Sequence, residues 1–255
     1  MRTLAAVLLL TLGVGFAPAA EPTAYNAGRI ESDQLPAAAN RHYRLLVPDA
    51  AEGKLPLVVY LHGAGAKGDD NLKPAGEILP ALLAKPALRK RFPCFVLVPQ
   101  CKDGTTADGR PNNWVNWAGQ KENPPAKWET ADADPSDQLR GAMLALDEVL
   151  AKHPVDRSRV YLTGVSMGGS GTCNWAAREP ARFAAAIAAC GLGEASRAKP
   201  LAGVPLRLFH GTDDPVAPVA RSRALAEAVT AAGGDVRLTE FTGAGHNIAG
   251  RVLKA

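Results

Sequence analysis

The 255-residue chain is 47% hydrophobic, 21% charged and 5% aromatic, enough apolar material for one α/β domain or two small ones. Its 29 basic against 25 acidic residues leave a net charge of +4, which neither calls for a nucleic-acid partner nor supplies a polybasic membrane anchor. With 25 glycines and 20 prolines set between recurring apolar runs, and only four cysteines, the composition excludes fibrous, disordered and disulfide-framework classes.

At the amino end, Arg2 precedes an apolar run from Leu4 to Phe16 broken only by Thr11, and Ala17-Pro18-Ala19-Ala20 offers small residues before Glu21. This three-part pattern predicts a secretory signal peptide over residues 1–20, cleaved after Ala19 or Ala20. The run of 13 residues falls short of the ~20 that a membrane helix needs, so a single amino-terminal anchor is the weaker alternative. No cysteine lies near the cleavage region to take a lipid, and no later segment is long and apolar enough to span a bilayer. The expectation is one mature domain over 21–255, periplasmic or extracellular, without stable membrane insertion.

From residue 41 onward, apolar runs recur at Tyr43–Val47, Leu57–Leu61, Phe95–Pro99, Val160–Val165, Phe183–Ala189, Leu206–Phe209 and Val236–Phe241. The second to the sixth are nearly continuous, as suits strands buried on both faces of a mostly parallel sheet. Cys94 and Cys101 flank the third run. Seven extended residues reach roughly 23 Å, far beyond the ~6 Å Cα separation of a disulfide, so these two should not pair. Together with Cys173 and Cys190 they fit no common zinc spacing, and at most one bridge is expected.

Between Cys101 and Ala133 no period is sustained, yet the stretch carries Trp114, Trp117 and Trp128, three of the four tryptophans. An aromatic-bearing loop of this length is expected to be ordered and packed over something. A helix follows from Pro135 to about Lys152, with Leu139, Met143, Leu146 and Leu150 on one stripe, Asp134 as its cap and Pro154 closing it. Another runs from about Val219 to Ala232 and stops at Gly233-Gly234. Strand–helix alternation with short links marks a wound α/β sheet with helices on both faces.

The chemistry lies in the links. Gly164-Val-Ser166-Met-Gly168 is a G-x-S-x-G directly after a strand and before a helical stretch, the context in which a sharp turn lifts a serine hydroxyl above the sheet edge. Ser166 is the candidate nucleophile. It needs a base. Of the five histidines, His42 and His153 read as surface or structural, and His62 and His210 each end a buried strand where an imidazole satisfies backbone groups. His246, in Gly243-Ala-Gly-His-Asn247 after the last strand, is the base. Asp213 and Asp214, in the loop leaving the sixth run, are the candidate acids, giving the chain order Ser, Asp, His of α/β-hydrolases. The oxyanion donors should be the Met167 amide and, from the turn after Leu61, the Ala64 amide. Gly63, Gly65 and Gly68 also spell G-x-G-x-x-G, but Asp69-Asp70-Asn71 and Pro74 stand where an apolar helix should begin and the next strand ends at Gln100 with no acidic residue for a ribose, which argues against a dinucleotide site.

The segments LHGAGAKGDDN, PCFVLVPQC, YLTGVSMGGSGT, FHGTDDPVAP and GAGHN, in this order, resemble secreted bacterial esterases of the α/β-hydrolase superfamily. The similarity covers roughly Tyr43 to Asn247 and points to the phospholipase/carboxylesterase and "predicted peptidase" branch, near polyhydroxybutyrate depolymerases and feruloyl esterases. It implies an acid four residues after the His of H-G-x-x-D, which selects Asp214, and it implies no metal and no organic cofactor. Relatives usually run on past the histidine into a closing helix. Here Asn247–Ala255 can form at most about two turns, so that helix is expected to be missing or a truncated remnant.

The reading that follows is a carboxylic ester hydrolase acting on small-molecule or polymer-linked esters, with Trp114, Trp117 and Trp128 walling the leaving-group side for aryl or sugar rings. Against it stand structural packing of those tryptophans, a serine peptidase of the prolyl-oligopeptidase type using the same three residues, and a non-catalytic glycan- or polymer-binding protein. An intact Ser166, Asp214 and His246 set argues against the last.

Overall fold

The computed structural model describes residues 24–254 except 31, 34, 36–38, 50–52 and 118–133. The signal-peptide reading and Trp128 fall outside the described residues. In chain order the elements are β1 (Tyr25–Arg29), β2 (His42–Leu46), β3 (Leu55–Leu61), α1 (Ile78–Leu83), α2 (Pro86–Arg91), β4 (Phe95–Pro99), α3 (Asp137–Lys152), β5 (Val155–Val165), α4 (Met167–Arg178), β6 (Ala185–Ala189), α5 (Ala198–Leu201), β7 (Leu206–Gly211), α6 (Val219–Ala231), β8 (Val236–Phe241) and α7 (Ala249–Val252). The eight strands form one sheet in the order β1-β2-β4-β3-β5-β6-β7-β8. The β1–β2 and β2–β4 pairs are antiparallel, and every pair from β4 to β8 is parallel.

All seven apolar runs became strands. β5 begins earlier than the run that announced it, because Asp156–Arg159 continues the strand as a polar, solvent-facing extension. β1 carries no apolar run and buries only Tyr25; it is held by its register on β2, where Gly28 lies so close under the Tyr43 ring that a Cβ would come within 2.2 Å of it. The cap of α3 is Ser136, not Asp134: the Ser136 hydroxyl oxygen accepts the Leu139 amide at 3.0 Å, while the Asp134 carbonyl is bonded by Arg178. Gly233, at φ +81°, ends α6 in the left-handed conformation expected of it.

Strand alternation divides the core between two faces. Leu57, Val59, Leu61, Leu97 and Leu162 point to one face and pack under α3, α4 and α6 through Leu139, Leu146, Val149, Trp175, Leu225 and Val229. Leu46, Tyr60, Val96 and Val98 point to the other, against Leu79 and Leu83 of α1, while Ala189 and Ile248 meet beside Val252 of α7. An apolar groove of about 680 Å³ lies between α1 and α7. This is the α/β-hydrolase fold. Among the described residues no helix is long and apolar enough to cross a membrane. All four cysteines are free thiols, three of them buried, so Cys94 and Cys101 are unpaired as their separation required.

Candidate active site

The carboxyl ends of the parallel strands deliver the predicted residues to one edge of the sheet, where open α/β folds gather their ligands. Ser166 stands between the end of β5 and the start of α4, with φ +55° and ψ −119°, a conformation that non-glycine residues adopt only when the surroundings impose it. The surroundings are backbone. Its amide donates to the Ala189 carbonyl at 2.8 Å and its carbonyl accepts the Ser170 amide at 3.0 Å. The two flanking glycines are required by close approach: a Cβ on Gly164 would come within 2.4 Å of the Gly168 carbonyl oxygen, and one on Gly168 within 1.9 Å of the Leu61 carbonyl oxygen.

The acid is Asp214. Its carboxylate is shielded from solvent; one oxygen accepts the Val216 and Ala217 amides at 2.8 and 2.9 Å, and the other lies 2.7 Å from His246 Nδ1. Burial alone would raise its pKa, but the Ala217 amide, the His246 ring and the Val216 amide outweigh burial and hold the carboxyl below the usual range. Asp213 instead accepts the Thr212 hydroxyl within its own turn. His246, about a quarter exposed, closes the chain: its Nε2 is 2.7 Å from Ser166 Oγ. The structure therefore brings Ser166, His246 and Asp214 into one hydrogen-bonded line, as the sequence reading placed them.

Met167 is the first residue of α4, and Ala64 the first of a short 3₁₀ turn after β3. First-turn amides have no intrahelical acceptor, which leaves both N–H groups open to a ligand. Both residues line the same small cavity as Ser166 and His246. Behind the Gly63–Ala64 turn sits His62, fully buried: Nδ1 donates to the Gly63 carbonyl at 2.6 Å and Nε2 accepts the Cys101 amide at 2.9 Å. Desolvation lowers its pKa to about 4, so the ring is a neutral strut.

The cavity holds about 120 Å³, and Lys67, Asn113, Trp117, Leu192 and Val216 share its wall. Trp117 belongs there, buried beside Val115, Leu192 and Ala217. Trp114 does not. It lies wholly inside the main core, its indole N–H bonded to the His62 carbonyl at 3.0 Å and its ring edge-on to His62 at 5.1 Å, with Gly171 against its Cβ. The wall reading of Trp114 is thus corrected: its one polar atom is satisfied inside and no edge reaches the cavity. Lys67, Asn113, Ser170 and Cys190 were not anticipated, although Ser170 stands one helical turn after Ser166 and could have been.

Cys190, Asp214 and His246 bring a sulfur, an oxygen and a nitrogen within 4.8 Å of one another, the one such donor group among the described residues. A metal ion there would have to replace the Asp214–His246 hydrogen bond and take the proton of a thiol that burial pushes up to about 12.

Residues 112–252, which include Ser166, Asp214 and His246, match the profile of the dienelactone hydrolase family. No curated protein matches the chain. Among solved structures, a thermostable esterase superposes with a TM-score of 0.73 at 33% identity, over 87% of this chain and 55% of its own. The acylaminoacyl peptidase of Pyrococcus horikoshii gives 0.65 at 19% identity, over 89% of this chain and 38% of its own. A Staphylococcus aureus fluorophosphonate-binding serine hydrolase gives 0.60 at 14%, over 91% and 95%. This chain therefore spans about half of the esterase and well under half of the peptidase, and the two more distant structures share its fold. With more than half its length matched, the chain belongs to the dienelactone hydrolase family.

Proposed function

We propose that this hydrolase cleaves carboxylic esters through an acyl-enzyme formed on Ser166. The observation that carries the reading is the unbroken line from Asp214 through His246 to Ser166, with 2.7 Å at each step. Ser166 Oγ attacks the ester carbonyl carbon while His246 Nε2 takes its proton. Asp214 keeps Nδ1 protonated and balances the imidazolium that forms. The oxygen that gains negative charge is stabilised by the Met167 and Ala64 amides. As the tetrahedral species collapses, the carbon–oxygen bond to the alcohol breaks and His246 gives its proton to the leaving alkoxide. Water then attacks the acyl carbon, its proton passing to His246, and the carboxylic acid and Ser166 hydroxyl are restored.

A cavity of about 120 Å³ beside Trp117 and Leu192 favours short acyl groups on aryl, alkyl or sugar alcohols. From the pattern of residues 1–20 we further infer export. The test of the reaction is fluorophosphonate labelling followed by intact mass, with Ser166→Ala in parallel. One adduct on the wild type and none on the variant is expected, with the variant's esterase rate down by at least about 10³-fold. Undiminished ester turnover in Ser166→Ala overturns the assignment.

A further inference from the structure

We propose that Lys67 is a specificity-determining residue of this site: its ammonium takes a carboxylate at the far end of the acyl group, so that half-esters of short dicarboxylic acids, succinyl esters foremost, are the preferred substrates. The inference deepens the ester-hydrolase reading and rests on it for its consequence in turnover.

Lys67 closes the 3₁₀ turn that carries Ala64, its amide donating to the Ala64 carbonyl at 3.3 Å, so the residue is tied to the oxyanion donor. Its side chain is partly buried and lines the same cavity as Ser166, Met167 and His246. No carboxylate joins it in the described wall. Asp70, the acid three residues on, is engaged elsewhere: it accepts the Leu72 and Lys73 amides and the Gln100 side-chain nitrogen, and it pairs with Lys73. Among the described residues no hydrogen bond or ion pair engages the Lys67 ammonium. Burial comes first in keeping His62 neutral, and the Lys67 charge adds to it, so the field of the ammonium reaches behind the turn. A partly desolvated cation without a counter-charge gains more from an arriving anion than an exposed lysine does.

Asn113 supplies a second donor. Its Oδ1 accepts the Val115 amide at 3.2 Å, which leaves the NH₂ group as what it offers the cavity. An ammonium and an amide N–H together suit the two oxygens of a carboxylate, while Leu192 and Val216 cover the methylenes that lead to it. Size decides which half of the ester enters. The cavity of about 120 Å³ is far below the about 300 Å³ at which pockets begin to hold a drug-sized ligand, so a short acyl group fits inside and the alcohol stays at the mouth. The carboxylate that meets Lys67 is therefore on the acyl side.

The test compares ethyl hydrogen succinate with ethyl 4-methylpentanoate, in which an isopropyl group stands for the carboxylate, both followed by pH-stat. The quantity read is the ratio of kcat/KM for the charged over the neutral ester, which cancels any displacement of the turn common to both. Wild type should favour the half-ester. Lys67→Met keeps the stem and loses the charge, and should lower the ratio at least about tenfold, mostly through KM, because a group remote from the reacting carbon is held equally in ground and transition states. Lys67→Arg should keep the ratio within about threefold. Raising salt from about 20 to about 500 mM should lower the wild-type ratio, a test of charge that needs no substitution and stands if Lys67→Met does not fold. An unchanged ratio in folded Lys67→Met, or a wild-type ratio indifferent to salt, overturns the proposal. So does a Lys67-dependent preference for 3-acetoxybenzoate over its methyl ester without one for the succinyl half-ester, which would put the anion on the alcohol side. Ester turnover without charge preference removes this inference and leaves the ester reading standing. If no form turns over an ester, calorimetry with N-ethylsuccinamate, the amide analogue, separates the two: binding at least about tenfold weaker in Lys67→Met keeps the anion site while the ester reading falls, and equal or absent binding removes both.

Discussion

His62 commits both ring nitrogens to the chain around it, one to the Gly63 carbonyl and one to the Cys101 amide, directly behind the turn that presents Ala64. Its neutrality has a thermodynamic consequence. In the unfolded chain a histidine takes up its proton near pH 6.5, whereas in the fold His62 resists until about pH 4. Between those values the unfolded state binds a proton that the native state refuses. Stability from this residue is therefore complete above about pH 6.5 and is lost as pH falls toward 4, by about 3 kcal/mol in all. Below pH 4 the loss levels off. His62→Gln retains an acceptor for the Cys101 amide and cannot titrate, so urea unfolding of this variant should show a shallower loss of stability than wild type between about pH 7 and pH 4.5. Equal slopes would show that His62 is not held neutral. At this scale Ser166 and His246 were legible because a strained turn and chain order constrain residue type tightly, whereas the strand-end loop left Asp213 and Asp214 both open and only the family resemblance chose between them. Trp114 was misread because composition reports that an aromatic is present and not which way it faces.

At the scale of elements, the elbow shows why β5 and α4 have to be read together. The helix runs so close to β3 that the Gly168 position has no room for a side chain, and the nearest atom is a carbonyl oxygen of the central sheet. A clash with backbone cannot be relieved by a rotamer change. Gly168→Ala should therefore displace α4, costing about 3 kcal/mol or more in urea unfolding and carrying the Ser166 hydroxyl and Met167 amide out of place. Gly250 in α7 has nothing within 4 Å of its added Cβ, and Gly250→Ala should hold or gain up to about 1 kcal/mol. Loss of stability at Gly250 with none at Gly168 would contradict this packing. The buried strands were readable because continuous apolar runs between turn signals have few other uses in a chain this long. β1 was not, since Asn26, Ala27 and Gly28 carry no periodic signal and the strand exists through its backbone pairing with β2. The cap of α3 was missed by two residues because Asp134, Pro135 and Ser136 all suit a helix start, and only geometry decides which oxygen reaches Leu139.

For the molecule as a whole, export and the state of the cysteines are one question. Residues 1–20 would carry the chain into an oxidising compartment, yet its fold leaves four thiols unpaired. Thiol–disulfide exchange needs the thiolate. Desolvation pushes Cys101, Cys173 and Cys190 up to about 12 and Cys94 to about 11, so at neutral pH about one thiol in 10⁴ or fewer is ionised, and three of the four are also out of reach of solvent. Folding thus protects the thiols without any bridge, provided it outruns oxidation. The corresponding expectation is that protein recovered from the periplasm or medium begins at Ala20 or Glu21 and takes up four alkyl groups when denatured without reductant. In the native state it should react with a disulfide reagent only slowly, paced by opening of the fold. A mature chain confined to the cytoplasm with Met1 intact would remove the export proposal. An exported chain lacking two of its four free thiols would mean instead that a pair of them meets before the core closes.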